Sequence, residues 1–485
     1  MHEAACGVSS FNPTPVARVH RVSCDMRVRV CVLAVVLGLA PAISAQSPSW
    51  IDSYREPVDR IIAAATADRA AWNRLAELTD TFGPRIAGSD ALNDAIAWCV
   101  RTMKSDGLDD VRADPVKVPH WVRGPESLEM IAPRAARIPM LGLGMSIGTP
   151  PGGVEAPLLV VDSFADLERR AADARGRIVL FNVPYQGYGQ TVAYRMNGAA
   201  QAAQHGAVAA LVRSIGPDGL RTPHTGMLSY RTGVARIPSA AIASEDAAGL
   251  ARISARGTGI RLRLSMAARL EPDADSANVI AELHGTEKPD EVVVVACHLD
   301  SWDVGTGASD DGGGCIAAWE TLRLLKRLNL RPRRTVRAVL FTSEENGATG
   351  GLAYRDRYLS TLDKHVMMLE SDLGVAAPSG FGISGNDAAR AQAAAIASLL
   401  KEIGATHVGP GGGGVDIGPT VAAARVPSMS PEVDSSKYFV IHHTEADTIE
   451  RIDPAELARH VAAMAAMAYV VADMPMRLGE VLGTK

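Results

Sequence analysis

Hydrophobic periodicity divides the chain into three stretches. Apolar residues over 52–80 recur at helical spacing, and Phe82-Gly83-Pro84-Arg85 closes that segment because proline cannot continue a helix. After Ser89, residues Leu92, Ile96, Cys99, Val100 and Met103 form one apolar helical face. Strand-like runs follow Gly107 and lead into a Gly/Pro-rich stretch over 141–153 that reads as a linker. In the second stretch, strand-like runs at 157–161, 177–183, 208–212, 237–242 and 260–268 alternate with Ala-rich helical runs. That block holds no His, Asp and Glu cluster with metal spacing, so its expected role is architectural.

From Asn278 the pattern becomes strand–helix–strand–helix. The run over 291–297, with four consecutive valines, predicts a strand buried on both faces of a parallel sheet. Further buried strands are predicted at 335–342 and 365–371, with helices over 315–328, 388–403 and 454–474. This alternation predicts an α/β fold, a three-layer αβα domain with a mostly parallel central sheet. Ligands in such sheets bind at the carboxyl ends of the strands, so the residues just after them carry the functional expectation.

A chain of 485 residues exceeds one ordinary core and predicts two or three domains. The expected division is 46–140 and 271–485 as two parts of one catalytic domain, with 141–270 inserted between them. A formal net charge of −5 leaves no overall basic field for nucleic acid or an anionic membrane. Arg27 and Arg29 precede an apolar run over 30–40, and Pro41, Ala42, Ile43, Ser44 and Ala45 follow. A positive flank, a short apolar run and small residues spell a secretory signal. The run is about half the roughly 20 residues a membrane-spanning helix needs. Residues 1–45 are therefore expected to be cleaved near Ala45, with Met26 a better-formed start than Met1. The mature protein is expected to be exported, periplasmic or secreted, with no second apolar stretch long enough to cross a membrane. Of six cysteines it would keep Cys99, Cys297 and Cys315, an odd number without metal-type spacing.

The predicted strands end in residues with chemistry. The first ends in Cys297-His298-Leu299-Asp300, the second in Ser343-Glu344-Glu345-Asn346, the third in Glu370-Ser371-Asp372. Asp310 and Asp311 precede three glycines that open a helix, and His442-His443-Thr444-Glu445-Ala446-Asp447-Thr448 lies near the end. Each element alone is ordinary: a core histidine, a solvated acidic pair, a helix cap. Five of them at strand ends of one sheet point to a metal centre, since Zn²⁺ takes His nitrogen and carboxylate oxygen.

The series HLDSWDVGTGASDDGGG, FTSEENG, LESDLG and HHTEADT resembles the di-zinc exopeptidase family of carboxypeptidase Q and the bacterial leucine aminopeptidases. FGPRIAGS resembles the same family's N-terminal signature, and the middle block resembles a protease-associated domain. The resemblance implies two Zn²⁺ per chain. His298, Asp310 and Asp372 would hold one; Glu345, His443 and Asp310 would hold the other, with Asp310 bridging. His443 is preferred to His442 because the family spacing is His, three residues, Asp-Thr. Asp300 would orient His298, and Glu344 would be the general base. The implied substrates are short peptides, cleaved by a dipeptidase or carboxypeptidase, and the implied assembly is a homodimer. Cys297 departs from the pattern, where a small residue such as glycine is expected. The glycine-rich run 409–414 reads either as a flexible loop beside the cleft or as plain surface.

Three other readings stand beside this one. An aminopeptidase would share every ligand and differ only in the peptide end recognised. A cyclising acyltransferase on a similar fold works with one zinc, which both Asp310 and the Glu344-Glu345 pair argue against. A non-enzymatic, receptor-like binding module would have lost ligands, whereas all five positions are filled here.

Overall fold

Val293, Val295 and Cys297 enter one apolar core while Val292, Val294 and Ala296 enter another on the opposite face. The strand Lys288–His298 is therefore buried on both sides, which is why its sequence lacks polar alternation. The computed structural model describes residues 49–481, so the expected signal over 1–45 lies outside the described residues.

Lys288–His298 sits inside an eight-stranded mixed sheet. Arg334–Phe341, Lys288–His298, His365–Glu370 and Ser428–Glu432 run parallel at its centre. Asp109–Val122 and Arg269–Leu283 extend one edge antiparallel. At the other edge Gly380–Ser384 pairs antiparallel with Ser428–Glu432, and His407–Pro410 lies outermost. Register aligns the functional ends: His298 is level with Phe341, and Ala296 with Glu370. The helices Arg55–Ala67, Ala70–Phe82, Asp90–Ser105, Gly313–Arg327 and Pro454–Asp473 contribute to the larger core. Thr349–Arg357 and Gly418–Ala424 cover the other face through Tyr354 and Val421. The result is the three-layer αβα arrangement expected.

A second eight-stranded sheet is built from residues between Glu126 and Met266. It begins upstream of 141, with Glu126–Ala132 and Ala136–Ile138. The stretch over 141–153 is only partly linker, because Met140–Gly142 pairs with Ser239–Ile242. The helical pattern over 52–80 is likewise two helices. Asp68 between them is extended (ψ 142°), and its carboxylate accepts from Ala70 N at 2.9 Å. One further correction concerns Pro454–Asp473, a 20-residue helix apolar enough to cross a membrane by length and composition. It is 83% buried over its apolar window, as the central helix of the core.

Arg85, in the FGPRIAGS segment, shows how the fold holds its functional edge. The side chain is completely buried. Its Nε donates to Leu299 O at 3.1 Å, Nη1 to Gly83 O at 2.6 Å and Thr306 O at 2.7 Å, and Nη2 to Gly307 O at 3.1 Å. Its backbone also exchanges hydrogen bonds with Ser301. One guanidinium thus fixes the loop that carries His298 into Asp310. Replacing Arg85 by Met would orphan several buried carbonyls, each costing about 1–3 kcal/mol. We expect Arg85→Met to lower unfolding stability by about 2–5 kcal/mol and to reduce retained metal, read by chemical denaturation and elemental analysis.

Candidate active site

Three strand ends and two loops converge. His298 Nε2 lies 3.2 Å from Asp372 Oδ1 and 3.3 Å from Asp310 Oδ1. His443 Nε2 lies 3.3 Å from Asp310 Oδ2 and 3.1 Å from Glu345 Oε2. Asp310 therefore presents one oxygen to each histidine. His442 stacks on His443 with ring centroids 3.5 Å apart, but its Nε2 is 3.7 Å from Asp310 Oδ2. His298, His443, Asp310 and Glu345 are buried, and Asp372 is partly open. The sequence-nominated His298, Asp310, Glu345, Asp372 and His443 are thus brought together, with Glu344 beside them on the wall of the same chamber.

Backbone contacts aim these side chains. The Asp300 carboxylate accepts from Glu344 N at 3.1 Å and Glu345 N at 3.3 Å, so it orients the acidic turn. The ring of His298 meets the Asp300 carbonyl instead, Nδ1 to O at 2.9 Å, while the carboxylate stands 3.8 Å away. Asp447 accepts from Ser309 N at 2.7 Å and Asp310 N at 3.1 Å and so sets the position of Asp310. Asp311, joined to Asp310 by a cis peptide bond, accepts from His298 N and Gly314 N, each at 3.2 Å. Asp447 was within reach of the sequence, through the same His-to-Asp-Thr spacing that singles out His443. Arg195 and Tyr188, from the block expected to be purely architectural, also line the chamber. No local motif marked them.

The electrostatics call for a cation. Burial raises Glu344 well above the usual carboxylate range, reinforced by Asp372, Glu345 and Asp416 against the pull of His298. Burial lifts Glu345 to about 7, with Asp310 adding to the effect and His443 opposing it. Burial opposes protonation of His443, yet the charge of Glu345 and hydrogen bonds to Asp310 and Glu345 raise it to about 9. Asp310 Oδ2 and Glu345 Oε1 are buried without a hydrogen-bond partner. Imidazole and carboxylate donors, two of their oxygens orphaned, match the donor set of a divalent metal such as zinc. Near the site, Cys297, Cys315 and Asp311 also approach one another, but both thiols are fully buried and unbonded to each other. The glycine run is split: 409–410 belong to the strand His407–Pro410, and Gly412, Gly413 and Gly414 line a second cavity of ≈ 470 Å³ adjoining the site. A Cβ on Gly414 would fall 2.0 Å from Glu370 Cδ and would displace a buried carboxylate that accepts from the amides of residues 416 and 417.

Residues 278–468 match Peptidase family M28. Carboxypeptidase Q of Mus musculus is 44% identical over 427 residues, covering 87% of this chain and 91% of that protein. The chain belongs to peptidase family M28. A peptidase M28 precursor from Shewanella amazonensis SB2B shares the structure with a TM-score of 0.86 and 34% identity, over 90% of this chain and 100% of that one. A zinc aminopeptidase from Bacillus subtilis, 21% identical, has the same fold with a TM-score of 0.65, over 85% of this chain and 97% of that one.

Metal ligation needs neutral imidazole, and metal-free His443 keeps its proton up to about pH 9. Loading an M28 site of this kind near pH 7 should therefore release protons, with apparent metal affinity rising as pH increases toward about 9. Calorimetric titration of the metal-free protein in two buffers of different ionisation enthalpy reads this directly. Identical heats in both buffers would remove His443 from the ligand set.

Proposed function

We propose that this chain is a di-zinc exopeptidase of the carboxypeptidase Q type, cleaving short peptides with Glu344 as its general base. The observation that carries it is the Asp310 carboxylate, directed at His298 through one oxygen and at His443 through the other. A bridging carboxylate suits two metals, with His298 and Asp372 completing one site and His443 and Glu345 the other. The pair, when bound, supplies Lewis acidity toward the scissile carbonyl and its developing negative charge. Glu344 faces the chamber as the carboxylate outside both ligand sets. Its burial gives it an affinity for protons well above that of an ordinary glutamate. It is thus suited to take a proton from the attacking water and deliver it to the leaving amine. Asp300, through the amides of residues 344 and 345, keeps the two neighbouring glutamates in their separate tasks.

One set of measurements tests the reading. Wild-type protein should hold close to two zinc ions per chain and hydrolyse a free dipeptide faster than its N-acetyl form or its C-terminal amide. Glu344→Gln should keep the zinc and lose about 10²–10⁴-fold in turnover. One metal or none in fully active protein would refute the di-zinc site. Rapid cleavage of the amide and of longer peptides from the amino end would make the enzyme an aminopeptidase.

Export and dimerisation complete the proposal. Protein recovered outside the cytoplasm should begin near Gln46 and sediment as a dimer. Retention of residues 1–45, or a monomer at micromolar concentration, would refute the respective part.

A further inference from the structure

A carboxypeptidase must recognise a free carboxylate, and the chamber of ≈ 400 Å³ beside the candidate metal ligands offers one cation for it. Arg195 is the single Lys or Arg among its lining residues. It lies on the helix Tyr188–Gln204 of the second sheet's block and is 4% exposed. Nη2 donates to Tyr188 Oη at 2.7 Å, and Nη1 lies 3.4 Å from both Thr225 O and His443 Nδ1. Nε has no partner. Among the described residues no Asp or Glu forms an ion pair with it, so a buried guanidinium stands without a counter-charge. Such a cation is costly unless an anion reaches it.

Its contacts through Nη1 are long, both at 3.4 Å. Thr225 O also lies 3.3 Å from His443 Nδ1, so Arg195 shares that carbonyl. Arg195 thus has unfilled donor capacity at Nε and Nη1. Tyr188 supplies a second donor. Its hydroxyl accepts from Arg195, and its own proton meets no acceptor among the described residues. Stacking on Phe439, with ring centroids 5.4 Å apart, holds the phenol against the chamber. One cationic and one neutral donor side by side are what a carboxylate takes.

We propose that Arg195 and Tyr188 bind the free carboxylate of the substrate and so decide which end of a peptide this enzyme recognises. The proposal rests on the exopeptidase reading above. The test compares wild type, Arg195→Gln, Arg195→Lys and Tyr188→Phe on L-leucyl-L-leucine and on its C-terminal amide. In the Glu344→Gln background, calorimetry measures binding of the same two compounds without turnover. Arg195→Gln should raise KM for the free dipeptide about 10- to 100-fold, the worth of a hydrogen bond to a charged group. The change in kcat should be smaller, dipeptide binding should weaken by the same factor, and the preference over the amide should collapse toward parity. Arg195→Lys should retain part of that preference, and Tyr188→Phe should raise KM several-fold. If Arg195→Gln does not fold, Tyr188→Phe carries the test, since it keeps the aromatic stack. A variant that keeps the wild-type acid-to-amide ratio overturns the proposal. So does an equal loss of kcat on both substrates, which would place Arg195 on the oxyanion instead. A wild-type enzyme indifferent to the amide overturns the underlying carboxypeptidase reading, and that result needs no variant.

Discussion

Asp310 sits between two buried imidazoles with one oxygen for each, and much of the surrounding structure exists to keep it there. A short carboxylate cannot serve two partners unless its backbone is fixed. Asp447 supplies that by accepting from the amides of residues 309 and 310, and Asp311 ties the same loop to the amide of His298. Arg85 then holds the carbonyls of the connecting loop from the far side. All these groups are buried, where interactions between charges are strong and unpaired groups are costly. The raised proton affinities of Glu344, Glu345 and Asp447 come first from burial and then from the negative charge gathered around them. The histidines oppose this for the two glutamates, and a cation held here would relieve the conflict that the fold creates.

The same constraint separates two adjacent glutamates. Ser343 takes a left-handed conformation (φ 63°), and the Asp300 carboxylate receives the next two amides. With the turn pinned at its backbone, Glu345 reaches His443 while Glu344 faces the chamber. Identical side chains thus acquire different surroundings through the path of the main chain.

Much of this was legible in the sequence because it lies on buried strands. The valine run could only be a strand covered on both faces, and its end necessarily put His298 at the edge of a sheet. The same reasoning located Glu344, Glu345 and Asp372. Contacts made by backbone were harder to see. The partner of His298 Nδ1 is the carbonyl of Asp300, and a sequence displays only the carboxylate. The break at Asp68 was hidden because that side chain replaces a helical hydrogen bond with its own. Arg195 left no trace, since its position depends on how a remote helix packs against the loop carrying His443. Helix periodicity reports which face of an element is buried and says nothing about what that face meets.

Packing at that junction argues against treating the second sheet as a detachable cover. Thr225 N donates to His443 O at 2.9 Å, so the inserted block is hydrogen-bonded to the backbone of a candidate ligand. Trp302, four residues beyond His298, joins the insert's own core beside Trp121 and lies 5.5 Å from the His443 ring. A Cβ on Gly144 would fall 2.0 Å from that indole, so the approach tolerates no side chain. Arg123 closes the seam with two hydrogen bonds to Asp303, at 2.8 and 2.6 Å. An independent domain would meet its neighbour through a polar, mobile surface; here aromatic packing and buried donors bind the two parts through the site itself. Arg195 and Tyr188, on a helix beside the second sheet, are thereby held in place relative to the candidate ligands at the edge of the first.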